Sequence, residues 1–346
     1  MPYPCSPCNA RIKPFMSDSS ESERTTIETF TPVVESTEVS PEIRWERQQT
    51  RWQRRSFAIA ALLFALTLIS TLVVGASFAA SYALGQSPDI DSFFAMYGTV
   101  LTHPRFLLAG VPFSFTLLAI LLAHELGHYF ACRYYRISAS YPYFIPAPTL
   151  IGTLGAFIRI RSPIYNRKAL FDVGLAGPVV GFLFAIPALA IAIAYSRVIP
   201  LSQAHLGVVF GNPLALRILL ALLRPRIPPS ELLLHPVGRA AWVGLFATAL
   251  NLLPGGQLDG GHILYAAASK YHKRVTLVLA GLLLPLGFLW YGWFLWAALL
   301  LGLGLRHPPL LYQWEPLDRT RLIWTGVALL IFILTFMPIP VLVRGN

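Results

Sequence analysis

Charge is what this sequence has least of. Only 12% of its 346 residues are Asp, Glu, Lys or Arg, and 55% are hydrophobic. A soluble domain carries about twice that charged fraction, so an ordinary soluble globule is excluded. Cysteine is scarce too, with three in the chain. Cys5 and Cys8 form a lone C-x-x-C with nothing nearby to complete a metal or redox site. Cys132 ends an apolar run, where a thiol reads as a small buried apolar group. No disulfide framework follows. The first apolar run begins far from Met1, so no signal peptide is expected. Histidine-rich loops, which a metal transporter would need, are also missing.

What is present is a series of apolar runs of about 20 residues, the length that crosses a bilayer. The formal charge of +11 would suit nucleic acid, but its placement does not. Residues 1–55 hold eight acids and eight bases and are near neutral. The excess cations lie in short loops between apolar runs, where Lys and Arg fix membrane orientation. The expected partners are therefore a lipid bilayer and other membrane proteins, with no nucleic acid.

Residues 1–50 are rich in Ser, Thr, Glu and Pro and read as a disordered cytoplasmic tail. Met16 is a plausible start in its own right, so residues 1–15 are expected to be a non-native extension, which the intact mass of the native protein tests. Residues 51–105 hold the first span and an outer loop, with Trp45 and Trp52 anchoring the approach at the interface. Residues 106–270 form the central unit, and 271–346 further spans. The second span, 106–132, ends at Arg133 and Arg136 on the inner side. The prolines of residues 137–168 forbid a helix there. The alternation in "GTLGAFIRIRS" predicts a strand or hairpin. The third span, 170–195, carries "GLAGPVVG", whose Gly174, Gly177 and Gly181 form a small-residue face for close helix packing. An outer segment with a short amphipathic piece follows, then a fourth span from Pro236 toward "NLLPGGQLDGGH". Residues 275–305 predict a tight helical hairpin turning near Tyr291-Gly292, and a last span covers 321–342. The expected fold is thus an all-α polytopic membrane protein of about seven transmembrane helices, six if 275–305 crosses once. A small membrane-associated β-hairpin or sheet lies between the second and third spans.

One of these spans contains "LLAHELGHYFAC". On a helix, positions i and i+4 share a face, so His124 and His128 can grip one metal ion. Glu125 stands beside the first ligand, within reach of a water on that metal. This is the logic of H-E-x-x-H zinc sites. Ionisable side chains are rare in membrane helices because they are costly to bury, so three within five residues is a specific signal. A catalytic zinc usually takes three protein ligands. Among the later acids only Asp259 lies deep in an apolar context, flanked by glycines. Asp172 opens a helix, while Glu231, Glu315 and Asp318 sit in loops. His262, three residues beyond Asp259, is the rival.

His124-Glu-Leu-Gly-His128 followed by "NLLPGGQLDGG", Asn251 to Gly261, resembles the two signatures of the site-2 proteases, polytopic intramembrane zinc metalloproteases. The resemblance runs from about 106 to 270 through "FIPAP", "GTLGAF" and "DVGLAGP", and is nearest the branch that includes plastid membrane metalloproteases. It implies one zinc held by His124, His128 and Asp259, with Glu125 as the catalytic base. It implies that Asn251 helps hold the scissile carbonyl. It also implies that the strand from Gly152 to Ile160, with Gly152 and Gly155 in its first turn of chain, is a sheet edge that takes an unfolded transmembrane substrate as an added strand. No PDZ domain or nucleotide-binding tail is evident. The alternative is a catalytically inactive membrane adaptor of the same fold.

The motif lies near one face of the membrane. His128 precedes Arg133 by five residues, about 7–8 Å along a helix. Water is expected to arrive from the cytoplasmic side. With no transit peptide in view, a bacterial inner membrane is the expected location, with the N-terminus cytoplasmic.

Overall fold

The computed structural model describes residues 41–200, 207–304, 310 and 316–344. The expected tail up to residue 40, with Cys5 and Cys8, lies outside them. From Pro41 the chain is already helical, in α1 (Pro41–Leu84). Its apolar part, Ser56–Leu84, is one of three described helices long and apolar enough to cross a membrane. It ends at Gly85, whose φ of +70° lets the chain turn back. The amides of Gly85 and Gln86 then bond to the Tyr82 and Ser81 carbonyls, a glycine-dependent helix stop.

Helix α2 (Ile90–Thr102) lies in the stretch expected to be a polar outer loop. Helix α3 (Val111–Tyr134) and the 3-10 turn before it form the second candidate span, Pro104–Tyr134. The third, α4 (Arg167–Tyr195), starts where the Asn166 side chain accepts the Ala169 amide, at 2.8 Å. That cap satisfies a donor the helix cannot. Then come α5 (Leu214–Leu223), α6 (Pro236–Asn251), α7 (Asp259–Ala268), α8 (His272–Gly287), α9 (Gly292–Leu303) and α10 (Arg319–Thr335).

Seven crossings are not established, because the later runs break into short helices. The 16 residues of α6 rise about 24 Å, short of the ~30 Å hydrocarbon core. Residues 275–305 do fold as a hairpin, α8 and α9 joined through 288–291. Both its ends meet near Gly256. His272 Nε2 lies 3.0 Å from the Gly256 carbonyl oxygen, and a Cβ on Gly256 would stand 3.3 Å from the Cα of Gly304. The last span was expected to reach residue 342, but α10 stops at Thr335. Strand β6 (Val341–Arg344) then pairs antiparallel with β4 (Gly207–Phe210) of the outer segment. Pro338 and Pro340 explain the stop, since proline cannot continue a helix.

Between α3 and α4 lies the expected hairpin, β1 (Tyr143–Pro146) and β2 (Thr153–Phe157). They pair antiparallel with Tyr143 opposite Phe157, Phe144 opposite Ala156, and an irregularity before Pro146. The pairing extends to an Ala139–Ile160 bridge. A further short pair joins β3 (Arg197–Val198) to β5 (Leu232–Leu233). The centre of the molecule is α3 against α4, with α6 and α7 packed on α4. Glycine permits the close approach. A Cβ on Gly127 would lie 2.6 Å from the Ala176 carbonyl oxygen. Without Cβ atoms at such crossings, helix backbones can touch.

Candidate metal centre

The metal-binding atoms come from two helices far apart in sequence. One turn of α3 places His124 and His128 on the same side, both buried. Asp259 is the first residue of α7 and enters from the loop "NLLPGGQL". That loop folds tightly around its glycines. A Cβ on Gly260 would lie 2.2 Å from the Leu252 carbonyl oxygen, and one on Gly261 would lie 2.4 Å from that of Gly256. Only glycine allows this approach, so the loop can bring Asp259 against α3.

The result is a near-equilateral triangle. His124 Nε2 and His128 Nε2 are 3.1 Å apart, and each is 3.3 Å from Asp259 Oδ2. Tetrahedral ligands at about 2.0–2.1 Å from zinc stand about 3.3 Å from one another, so the set fits that ion. His128 Nδ1 lies 2.7 Å from the Val173 carbonyl oxygen. A carbonyl can only accept, so Nδ1 carries the proton and Nε2 presents a lone pair to the triangle. Such an outer contact fixes tautomer and ring orientation in metal sites.

Helix α4 shapes the pocket by what it omits. A Cβ on Gly177 would lie 2.1 Å from His128 Nε2, and one on Gly181 would lie 3.0 Å from His124 Nδ1. Gly174 abuts His262 Cβ at 3.0 Å by the same measure. The expected small-residue face therefore seats the imidazoles as well as packing α4 on α3.

The triangle opens into a cleft of about 200 Å³ lined by His124, Glu125, His128, Asn251, Asp259 and His262 among others. Glu125 is buried, and the backbone amide of Ile158 lies near its carboxylate. Asn251 Nδ2 lies 3.2 Å from His124 Nε2. Of the two residues weighed as third ligand, Asp259 joins the group able to hold a metal. His262 lines the cleft outside that triangle.

Neither Gly152 nor Gly155, the expected substrate-binding glycines, is among the residues that line the cleft. Gly152 is buried against α1. Its φ is +82°, its carbonyl accepts from Ser70 Oγ at 2.6 Å, and a Cβ there would lie 2.9 Å from the Cα of Thr71. Gly155 has φ +101° and no atom near its missing Cβ. The part of the strand that lines the cleft is Ala156, Phe157, Ile158 and Ile160. Val173, Gln257 and Ile158 went unnoticed in the sequence. Val173 and Ile158 act through backbone atoms, which leave no residue-type signal.

A buried histidine pair with an intervening glutamate on one helix, closed by a distant aspartate, forms a candidate metal site of the zinc-hydrolase type. The chain belongs to peptidase family M50, whose model matches residues 112–288. It is 30% identical over 305 residues to "Probable zinc metalloprotease EGY1, chloroplastic" of Arabidopsis thaliana, covering 84% of this chain and 54% of the relative. The Oryza sativa subsp. japonica protein of that name is 30% identical over 277 residues, covering 77% and 44%. "Probable zinc metalloprotease EGY2, chloroplastic" of Oryza sativa subsp. indica is 33% identical over 181 residues, covering 50% and 32%. The chain thus spans about half the length of the first of these relatives, and less of the others. No solved structure matches.

Proposed function

We propose that this protein is an intramembrane zinc metalloprotease that hydrolyses peptide bonds in or near transmembrane segments of membrane proteins. The observation that carries this reading is the convergence of His124, His128 and Asp259 beside a buried glutamate, on a helix of membrane-spanning length. A zinc held by these three residues supplies Lewis acidity, which polarises a carbonyl and acidifies a water. Glu125 takes the proton of the attacking water and returns it to the leaving amine. The Asn251 amide donates to the scissile carbonyl oxygen as charge builds there. His128 is held in register by Val173.

The substrate enters as an added strand. Among the described residues strand β2 pairs only with β1, and the Ile158 amide in its continuation lies near Glu125. An unwound substrate segment along this free edge would lie across the cleft, with main-chain hydrogen bonds setting its register. Helical peptide bonds are shielded by their own hydrogen bonds, so unwinding must come first. Non-helical backbone at this depth is tolerable because protein and a wet cleft surround it. Gly155 belongs to this edge, whereas Gly152 supports it from below through α1.

The residue ranges that support this reading are a core over 106–270 and flanking helices on either side. The expected bacterial inner membrane draws no support from relatives whose names place them in chloroplasts. The location proposed is therefore an integral membrane position, with the cleft nearer the face marked by Arg133 and Arg136.

The test uses purified protein and a model transmembrane peptide. Wild type should contain one zinc per chain and cleave, and Asp259→Ala should lose both properties. A zinc-free wild type that cleaves, or an Asp259→Ala protein with full zinc, would overturn the assignment. Zinc without cleavage of any membrane peptide would favour the inactive adaptor.

A further inference from the structure

A second cavity, of about 460 Å³, shares no lining residue with the metal cleft. It is lined by Ser56, Tyr129, Arg133, Arg136, Ser140 and Arg161 among others, and no Asp or Glu lines it. Arg161 Nη2 donates to Ser56 Oγ at 3.2 Å. Among the described residues none of the three arginines has an ion-pair partner. All three arginines are solvent-exposed and line the same cavity, so an anion in it meets three cations and no acid.

Arg136 adds an independent sign. Its φ is +56°, the one positive value among the described non-glycine residues. It follows the end of α3, where the Arg136 and Ile137 amides bond back to the Arg133 and Cys132 carbonyls. Glycine or asparagine is the usual residue at such a stop. The left-handed conformation costs other residues about 1–2 kcal/mol. An arginine here carries that cost at a position that lines the cavity.

The cavity sits at a defined level. Ser56 directly follows Arg54 and Arg55, where the apolar part of α1 begins, and Arg133 and Arg136 mark the end of the span Pro104–Tyr134. The cavity therefore lies where two spans leave the hydrocarbon. Phe57 and Phe130, whose rings contact the lining residues Tyr141 and Tyr129, are 60% and 64% exposed. They offer apolar surface next to the lining, where acyl chains would run.

We propose that this cavity is a phosphate site, filled by the headgroup phosphate of an anionic phospholipid or by free phosphate. Arginine forks match phosphate oxygens in geometry and charge. Basic pockets between spans on the inner face suit lipid headgroups. The inference rests on the membrane-spanning helices, not on proteolysis.

Native mass spectrometry of the full-length detergent-purified protein tests it, with short-chain phosphatidylglycerol, inorganic phosphate and an acidic peptide as probes. Wild type should bind phosphatidylglycerol at least about 10-fold more tightly than an Arg133→Gln, Arg136→Gln, Arg161→Gln triple variant, as expected for losing several charge-assisted bonds. Bound lipid that inorganic phosphate fails to displace assigns the site to the headgroup, and ready displacement assigns it to free phosphate. Equal affinity of wild type and triple variant overturns the proposal. So does arginine-dependent binding of the acidic peptide with both phosphate probes unbound. Zinc content reports that the variants are folded. Should the triple variant not fold, the single variants Arg136→Gln and Arg161→Gln carry the same comparison.

Discussion

Gly177 on α4 faces His128 on α3 so closely that a methyl group at Gly177 would stand 2.1 Å from the ligand atom Nε2. The nearest atoms all belong to the imidazole ring, which is held on its other side by the Val173 carbonyl. The ring has no easy way to yield.

Gly177→Ala should therefore displace a metal ligand rather than merely loosen the helix pair. Zinc affinity should fall at least about 10-fold, the scale seen when ligand orientation is lost. Zinc measured in protein dialysed against a graded chelator series checks this. Gly127→Ala makes a useful contrast. Its Cβ would meet the Ala176 backbone at 2.6 Å, so it should lower thermal stability as well.

The inner ends of three helices are tied by one cluster. Arg321 on α10 donates from Nε to Asp172 Oδ1 on α4 at 2.9 Å, and from Nη2 to Tyr135 at 3.0 Å. Burial and the Asp172 carboxylate push the Tyr135 phenol up to about 12, so it stays neutral and keeps donating at working pH. The Arg321 and Asp172 side chains are 18% and 30% exposed. The loss lies between that of a surface pair and that of a buried one, about 1–3 kcal/mol. Arg321→Ala should lower the melting temperature in detergent by several degrees with zinc content unchanged. An unchanged melting temperature would show that α10 is held by its apolar face alone.

The Ile158 amide marks where a substrate strand would meet the base. Ile158→Pro removes that donor. It should keep full zinc yet cleave a model peptide at least about 10-fold less efficiently, mostly through KM, as expected when main-chain pairing supplies the affinity. Kinetics over a range of peptide concentrations separate KM from kcat. Wild-type KM in this variant would remove the strand edge from the substrate path.

The candidate metal ligands were legible in the sequence because few residue types bind zinc and a membrane helix rarely contains any of them. The i, i+4 spacing paired His124 with His128, elimination favoured Asp259 with His262 as its rival, and the resemblance to the site-2 proteases implied Asp259. The hairpin between α3 and α4 was legible from its prolines and its alternation. Helix lengths were not. Hydropathy runs on through short helices and turns alike, so the run from Pro236 toward "NLLPGGQLDGGH" and 321–342 read as spans although α6 and α10 are 16 and 17 residues long. The roles of individual glycines were also hidden. Gly152 and Gly177 are the same residue type, but one packs on α1 and the other clears space for a metal ligand. Only the partner across the contact distinguishes them.

The central claim is that Glu125 performs acid–base chemistry at a site it does not build. Cleavage of a model transmembrane peptide by purified Glu125→Gln protein of verified zinc content tests this most directly. The account predicts about one zinc per chain, with cleavage reduced about 100- to 10,000-fold, the usual contribution of a positioned acid–base group. Cleavage at the wild-type rate by the zinc-loaded variant would contradict it.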